Sequence, residues 1–128
     1  MKLLLDTHIF LWFISGDDRL SKTARDAIED IENEVFLSAA SIWETVGKHQ
    51  PGKLPLPAAP AEYLPQKRII HQIAALPIDE ATIAFLPQLP ALHRDPFDRI
   101  LICQALQHGL TIVTVDAAVK QYSVAVLD

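Results

Sequence analysis

The sequence predicts an α/β domain built on a mostly parallel sheet with helices over both faces. Three observations lead there. The better strand candidates, residues 2–5, 35–37 and 110–115, are continuous apolar runs, as strands buried on both sides are. Helical patterns separate them, which is the order of βαβ units. At 128 residues with 50% apolar and 21% charged residues, the chain suits a single globular domain over residues 1–128.

Lys2–Leu5 is too short for a helix and reads as a buried strand ending at Asp6. Ile9–Ile14 continues apolar as a helix packed on the sheet and stops near Gly16. Ser21 is placed to cap a helix running through Glu32, with Leu20, Ala24, Ala27, Ile28 and Ile31 on one face. Val35–Leu37 is the second strand, and Ser38 or Ser41 opens a helix carrying Ile42, Trp43, Glu44 and Val46.

Pro51–Pro60 holds four prolines and Gly52 and reads as a loop. A helix over 61–73 follows, with Pro65 near its first turn, then a short strand at 76–78 and a helix from Asp79 toward Leu86. Arg94–Arg99 opens the best-marked helix. Asp95 is its cap, Pro96 fits the first helical position where a missing N–H costs nothing, and Gly109 closes it. The β-branched run Leu110–Val115 is the strongest strand, ending at Asp116, and Val124–Leu127 is the last.

The single cysteine, Cys103, excludes a disulfide framework and suits a reducing compartment. It lies among apolar residues and is expected to be buried and inert. Asp6 and His8 interrupt the leading apolar run, so neither a signal peptide nor a membrane span is expected, and the chain reads as cytoplasmic. A net charge of −5 argues against a general basic nucleic-acid binder, but not against a nucleic-acid enzyme with an acidic site. Lys48, Lys53, Lys67 and Arg68 make one stretch locally basic, either as a solvated surface or as arms that guide RNA.

The acids carry the functional argument. Asp6 and Asp116 each follow a strand, while Glu44 and Asp98 sit in early turns of helices. In a βαβ unit the helix N-terminus lies at the carboxyl edge of the sheet, so all four belong to the edge where open α/β sheets bind ligands. Clustered carboxylates repel one another, and a divalent cation relieves that conflict. All-oxygen ligands favour Mg²⁺ or Mn²⁺ over Zn²⁺, and such an ion suits phosphodiester hydrolysis. His49, His71, His93 and His108 show no metal-ligand spacing.

Each acid also has a simpler role open to it. Asp6 could cap the next helix, Glu44 could pair with Lys48 four residues on, Asp98 could favour the helix dipole, and Asp116 could form a turn. Arg99 is placed either to contact a substrate phosphate or to pair with one of these carboxylates. Trp12 and Trp43 read as core or dimer contacts.

The stretches Leu4-Leu5-Asp6-Thr7, Ser41-Ile42-Trp43-Glu44, Asp95-Pro96-Phe97-Asp98-Arg99 and Val113-Thr114-Val115-Asp116 resemble PIN-domain proteins, specifically the VapC-type toxin ribonucleases. The resemblance covers nearly the whole chain. It implies a three-layer α/β/α sandwich, Mg²⁺- or Mn²⁺-dependent endoribonuclease activity, a homodimer and a cognate antitoxin. It also implies that Asp6, Glu44 and Asp98 are the metal-binding core, that Asp116 is a more peripheral fourth acid, and that the Thr114 hydroxyl lines the site. Many relatives have Asn where this chain has His8, which either supports the local loop or reaches the substrate.

Two other readings compete. One is a PIN-like module used only for protein binding. The other is phosphoryl transfer through an aspartyl phosphate, for which His8 replaces a needed Asp and Lys120 is the only late lysine.

Overall fold

The computed structural model describes residues 1–49 and 56–128. Lys53 and the first half of the proline-rich loop therefore lie outside the described residues.

In chain order the elements are β1 (Lys2–Leu5), α1 (Thr7–Ser15), α2 (Lys22–Glu29), β2 (Glu34–Ser38), α3 (Ala39–Lys48), α4 (Pro60–Ile70), β3 (Ala74–Leu76), α5 (Glu80–Ala84), α6 (Pro96–His108), β4 (Thr111–Val113) and β5 (Val126–Leu127). Short 3₁₀ turns occupy Leu86–Gln88 and Val119–Gln121. The strands form one sheet in the order β3-β2-β1-β4-β5, and every pairing is parallel.

β1 shows why the sheet is covered twice. Successive side chains of a strand point to opposite faces. Leu3 and Leu5 enter one core with Phe10, Phe13, Ala24, Ile28 and Leu64, which come from α1, α2 and α4. Leu4 enters the other core with Ile100, Leu101 and Ala105 of α6, closed by Ile112, Val119 and Tyr122. All three leucines are 0% exposed. The α/β/α layering expected from the sequence is the architecture observed.

Several boundaries differ from the expectation. α2 ends at Glu29, because Asp30 leaves the helical region and its side chain accepts the Glu32 N–H in a local turn. Ile31 is consequently 91% exposed and contributes nothing to the core face assigned to it. α4 begins one residue earlier than expected, at Pro60, and ends at Ile70. Gln72 then takes φ 57°, and this reversal delivers Ile73 into the first core. The strand expected to reach Val115 stops at Val113, because the Thr114 hydroxyl captures the Asp116 N–H and begins a turn. β5 is similarly shorter than expected. Ser38, not Ser41, caps α3, through a bond from the Ala40 N–H. Trp43 is not a core residue: it is 61% exposed, with its ring edge-on to Phe97 at 4.8 Å.

Strand order places the site. From β1 the chain builds outward through β2 to β3, then returns to the other side of β1 with β4 and β5. The order reverses between β1 and β4, and the crevice at their carboxyl ends is the standard binding position of such sheets.

Candidate metal and nucleic-acid site

A cavity of about 440 Å³ opens at that crevice. Its walls include Asp6, Glu44, Asp95, Asp98 and Asp116, together with His8, Lys48 and His93. The four acids singled out by the sequence thus meet in one space.

Asp6 follows β1 directly. It sits at the N-cap position of α1, yet its side chain makes no cap bond. Capping is therefore not what fixes this carboxylate. Its Oδ2 accepts a 2.6 Å bond from Thr114 Oγ1 at the end of β4. Burial pushes its pKa above the ordinary range, opposed chiefly by the Thr114 bond.

Glu44 is held from two sides. Thr7 Oγ1 donates to Oε1 at 2.8 Å and lies 2.9 Å from Ser41 Oγ, while Lys48 Nζ contacts Oε2 at 2.6 Å. The expected ion pair one turn along the helix therefore exists, and the same carboxylate still lines the cavity. The bond to Glu44 raises the Lys48 pKa.

Asp95 does cap α6, accepting the Phe97 N–H at 2.9 Å, with Lys48 Nζ 3.9 Å from its other oxygen. Asp98 is buried in the first turn and points into the cavity. Burial, followed by the charges of Asp6, Asp95 and Glu44, pushes its pKa up to about 7, with His93 acting the other way.

Asp116 is less buried and has a turn role as well, accepting the Ala118 N–H at 2.8 Å. Its burial is outweighed by bonds from the Ala118 N–H, His93 and the Val119 N–H, so its pKa falls below the ordinary value. It lines the cavity from the turn that follows β4.

The other expected contacts divide. Thr114 is fully buried and bonded to Asp6, so it positions a carboxylate and offers no surface to a substrate. His8 is exposed on the cavity rim, 6.2 Å from the Trp12 ring between centroids. Among the described residues Arg99 pairs with none of these carboxylates. Its guanidinium donates to the carbonyls of Pro90 and Leu86 and to Tyr122 Oη, bracing the loop before α6. Of the basic block, Lys48 reaches the cavity, while Arg68 is bonded to the Ile73 carbonyl. Lys120 pairs with Asp128, so it is not the free lysine that an aspartyl-phosphate site requires.

One further wall residue contacts the acids. His93 shows no metal-ligand spacing in the sequence, yet its Nε2 lies 2.9 Å from Asp98 Oδ2 and 3.2 Å from Asp116 Oδ2. Spacing in sequence could not reveal this, because the contact depends on how the loop folds back over α6. Thr7 and Ser41 also went unassigned as site residues. Their positions, beside Asp6 and one helical turn before Glu44, were the available signal.

The donor set suits a hard divalent cation. Ligand atoms of His93, Asp98 and Asp116 lie within 4.8 Å of one another, Asp6 and Glu44 line the same cavity, and burial raises the pKa of Asp6 and Asp98. A positive charge among them would reverse that pressure.

Residues 3–125 match the sequence profile of the PIN domain. This chain belongs to the PIN domain family. Among curated relatives, the PIN domain described here is 28% identical to Ribonuclease VapC22 of Mycobacterium tuberculosis over 121 residues, covering 94% of this chain and 91% of that one. Among solved structures, it is similar to a chain of the VapBC2 crystal structure from Rickettsia felis, bound to a promoter DNA fragment, with TM-score 0.70 and 16% identity. That match covers 99% of this chain and 98% of the other. A chain of FitAcB from Neisseria gonorrhoeae gives TM-score 0.65 at 22% identity, over 98% of this PIN domain and 96% of that chain. No helix among the described residues is long and apolar enough to cross a membrane.

Proposed function

We propose that this PIN domain is a metal-dependent endoribonuclease and the toxin of a toxin–antitoxin pair. The observation that carries this reading is the convergence of Asp6, Glu44, Asp98 and Asp116 on one cavity at the carboxyl edge of the sheet. The relative named a ribonuclease spans nearly the whole chain and supports the substrate class.

In this reading Asp6, Glu44 and Asp98 hold Mg²⁺ or Mn²⁺, with Asp116 as the outer fourth acid. The bound cation would orient a water for attack on an RNA phosphodiester and neutralise charge that develops on the phosphate. The remaining work belongs to the chain. Thr114 fixes the rotamer of Asp6, and Thr7 fixes that of Glu44, so the carboxylates are pre-aimed. Lys48 places a positive charge at the cavity wall where an RNA phosphate would enter. His8 stands on the same rim, and in this reading it contacts the substrate.

The partners follow from the same reading: RNA as substrate, a second copy of the chain, and a cognate antitoxin that covers the acidic cavity, all in the cytoplasm. Exposed Trp43, Val46, Ile69 and Ile70 on α3 and α4 supply apolar surface for a protein contact.

The test is cleavage of RNA by purified protein with Mg²⁺, with Mn²⁺ and with chelator, beside Asp6→Asn. Cleavage that requires the cation and disappears in the variant is expected. Cleavage in chelator, or equal cleavage by the variant, overturns the reading.

A further inference from the structure

We propose that His93 is a positioning residue that donates through Nε2–H to the carboxylates of the acidic cavity and does not ligate the cation, leaving an all-oxygen ligand set. This rests on the metal-site reading above.

The inference begins at the other ring nitrogen. The Asp95 backbone N–H donates to His93 Nδ1 at 3.2 Å. Because Nδ1 accepts, its lone pair is engaged and the ring proton resides on Nε2. The opposite tautomer would set an Nδ1–H against the Asp95 N–H, two donors face to face. Nε2 is thus a donor, and it has acceptors. Its contact with Asp116 Oδ2 at 3.2 Å has hydrogen-bond geometry, and Asp98 Oδ2 stands 2.9 Å away. A nitrogen carrying a proton has no lone pair to give a metal.

The loop that carries His93 is built to hold this pose. Tyr122 Oη accepts the backbone N–H groups of Leu92 and His93 at 3.2 and 2.9 Å, and donates to the Pro90 carbonyl at 2.9 Å. Arg99 binds the same carbonyl at 3.1 Å. These bonds fix the backbone independently of the imidazole. Asp95 links the parts: its side chain caps α6 while its own N–H sets the His93 tautomer.

The arrangement bears on which metal the cavity selects. A histidine ligand would draw the site toward Ni²⁺ or Zn²⁺, whereas oxygen donors alone retain the bias for Mg²⁺ and Mn²⁺. Hydrogen bonds to metal-binding carboxylates orient them, and losing such a partner commonly weakens metal affinity by about 10–100-fold.

The deciding measurement is nitrogen NMR of ¹⁵N-histidine-labelled protein, first with chelator and then with saturating Mg²⁺. A protonated Nε2 and a bare Nδ1 at His93 are expected in both states. A proton on Nδ1 in either state, or deprotonation of Nε2 on adding Mg²⁺, overturns the proposal. Calorimetric titration of His93→Ala and His93→Gln gives a second line. Mg²⁺ should bind His93→Ala about 10–100-fold more weakly, and His93→Gln, which restores an N–H donor, should recover part of the loss. The ratio of Ni²⁺ to Mg²⁺ affinity should match that of the parent in both variants. A selective loss of Ni²⁺ affinity in His93→Ala marks a ligand and overturns the proposal. Should the variants fail to fold, the spectra of the parent protein decide alone. If Mg²⁺ binds nowhere, the metal reading of the cavity fails, while the chelator spectrum still tests the His93 tautomer.

Discussion

Thr114 Oγ1 donates to Asp6 Oδ2 at 2.6 Å, joining two residues 108 positions apart in the chain. The same hydroxyl accepts the Asp116 N–H at 3.0 Å. One buried side chain thus sets the rotamer of one candidate metal ligand and the backbone of another.

Replacing Thr114 with Val removes both bonds and keeps the shape. The variant should lose about 1–3 kcal/mol of unfolding free energy, because a buried carboxylate and a backbone N–H are left without partners. Mg²⁺ affinity should fall as well, since Asp6 is no longer aimed. Urea unfolding and calorimetry measure the two effects. Thr114→Ser should retain most of both properties, and an undisturbed Thr114→Val would refute the positioning role.

Asp98 makes the metal-free protein sensitive to pH. Its folded pKa, about 7, lies above the ordinary 3.8, so between those values the folded state binds more protons than the unfolded state. The stabilising contribution is complete below the lower value and disappears as pH rises through the upper one. In chelator, the unfolding free energy should therefore decline from pH 4 to pH 7 more steeply in the parent than in Asp98→Asn. Urea melts at a series of pH values check this, and equal slopes would count against it.

A bound cation should reverse that trend. Binding to Asp6 and Asp98 displaces protons, so Mg²⁺ affinity should rise with pH across the same interval. The increase in melting temperature at fixed Mg²⁺ should be larger at pH 8 than at pH 5.5, and it should vanish in Asp98→Asn if that carboxylate is an indispensable ligand. Differential scanning fluorimetry suffices for the comparison.

Arg99 separates a brace from a substrate contact. Its guanidinium is occupied by the carbonyls of Leu86 and Pro90 and by Tyr122 Oη. Arg99→Ala should lower stability by about 1–3 kcal/mol, because it removes charged hydrogen-bond donors from the loop before α6. RNA affinity at a temperature where the variant is folded should change less than that of Lys48→Ala, whose ammonium lines the cavity. A larger RNA-binding defect in Arg99→Ala would restore the phosphate contact weighed from the sequence.

The layered fold and the gathering of four acids were legible in the sequence for a common reason. Both depend on patterns local to each element: an apolar run ending in an acid, or Asp-Pro opening a helix. Asp6, Glu44, Asp98 and Asp116 lie near such boundaries, so predicting the elements predicted their shared edge. His93 and Arg99 depend instead on the path of a loop. Residues 89–95 fold back toward Tyr122, and no periodicity encodes that return. Ile31 misled because helical spacing continued past Asp30, whose side chain had already turned the backbone away. Thr114 was expected at the site, but strand pattern alone could not distinguish a hydroxyl facing a ligand from one bonded to a carboxylate.

The central place of β1 governs the order in which the acidic cavity can form. Asp6 precedes Glu44, Asp98 and Asp116 along the chain, while β1 must wait for β4 to close its open side. A growing polypeptide that stops before Thr111 has β1 and β2 but lacks both the strand and the hydroxyl that orient Asp6. The acidic cavity is therefore assembled late, once β4 has joined β1 and Thr114 has met Asp6.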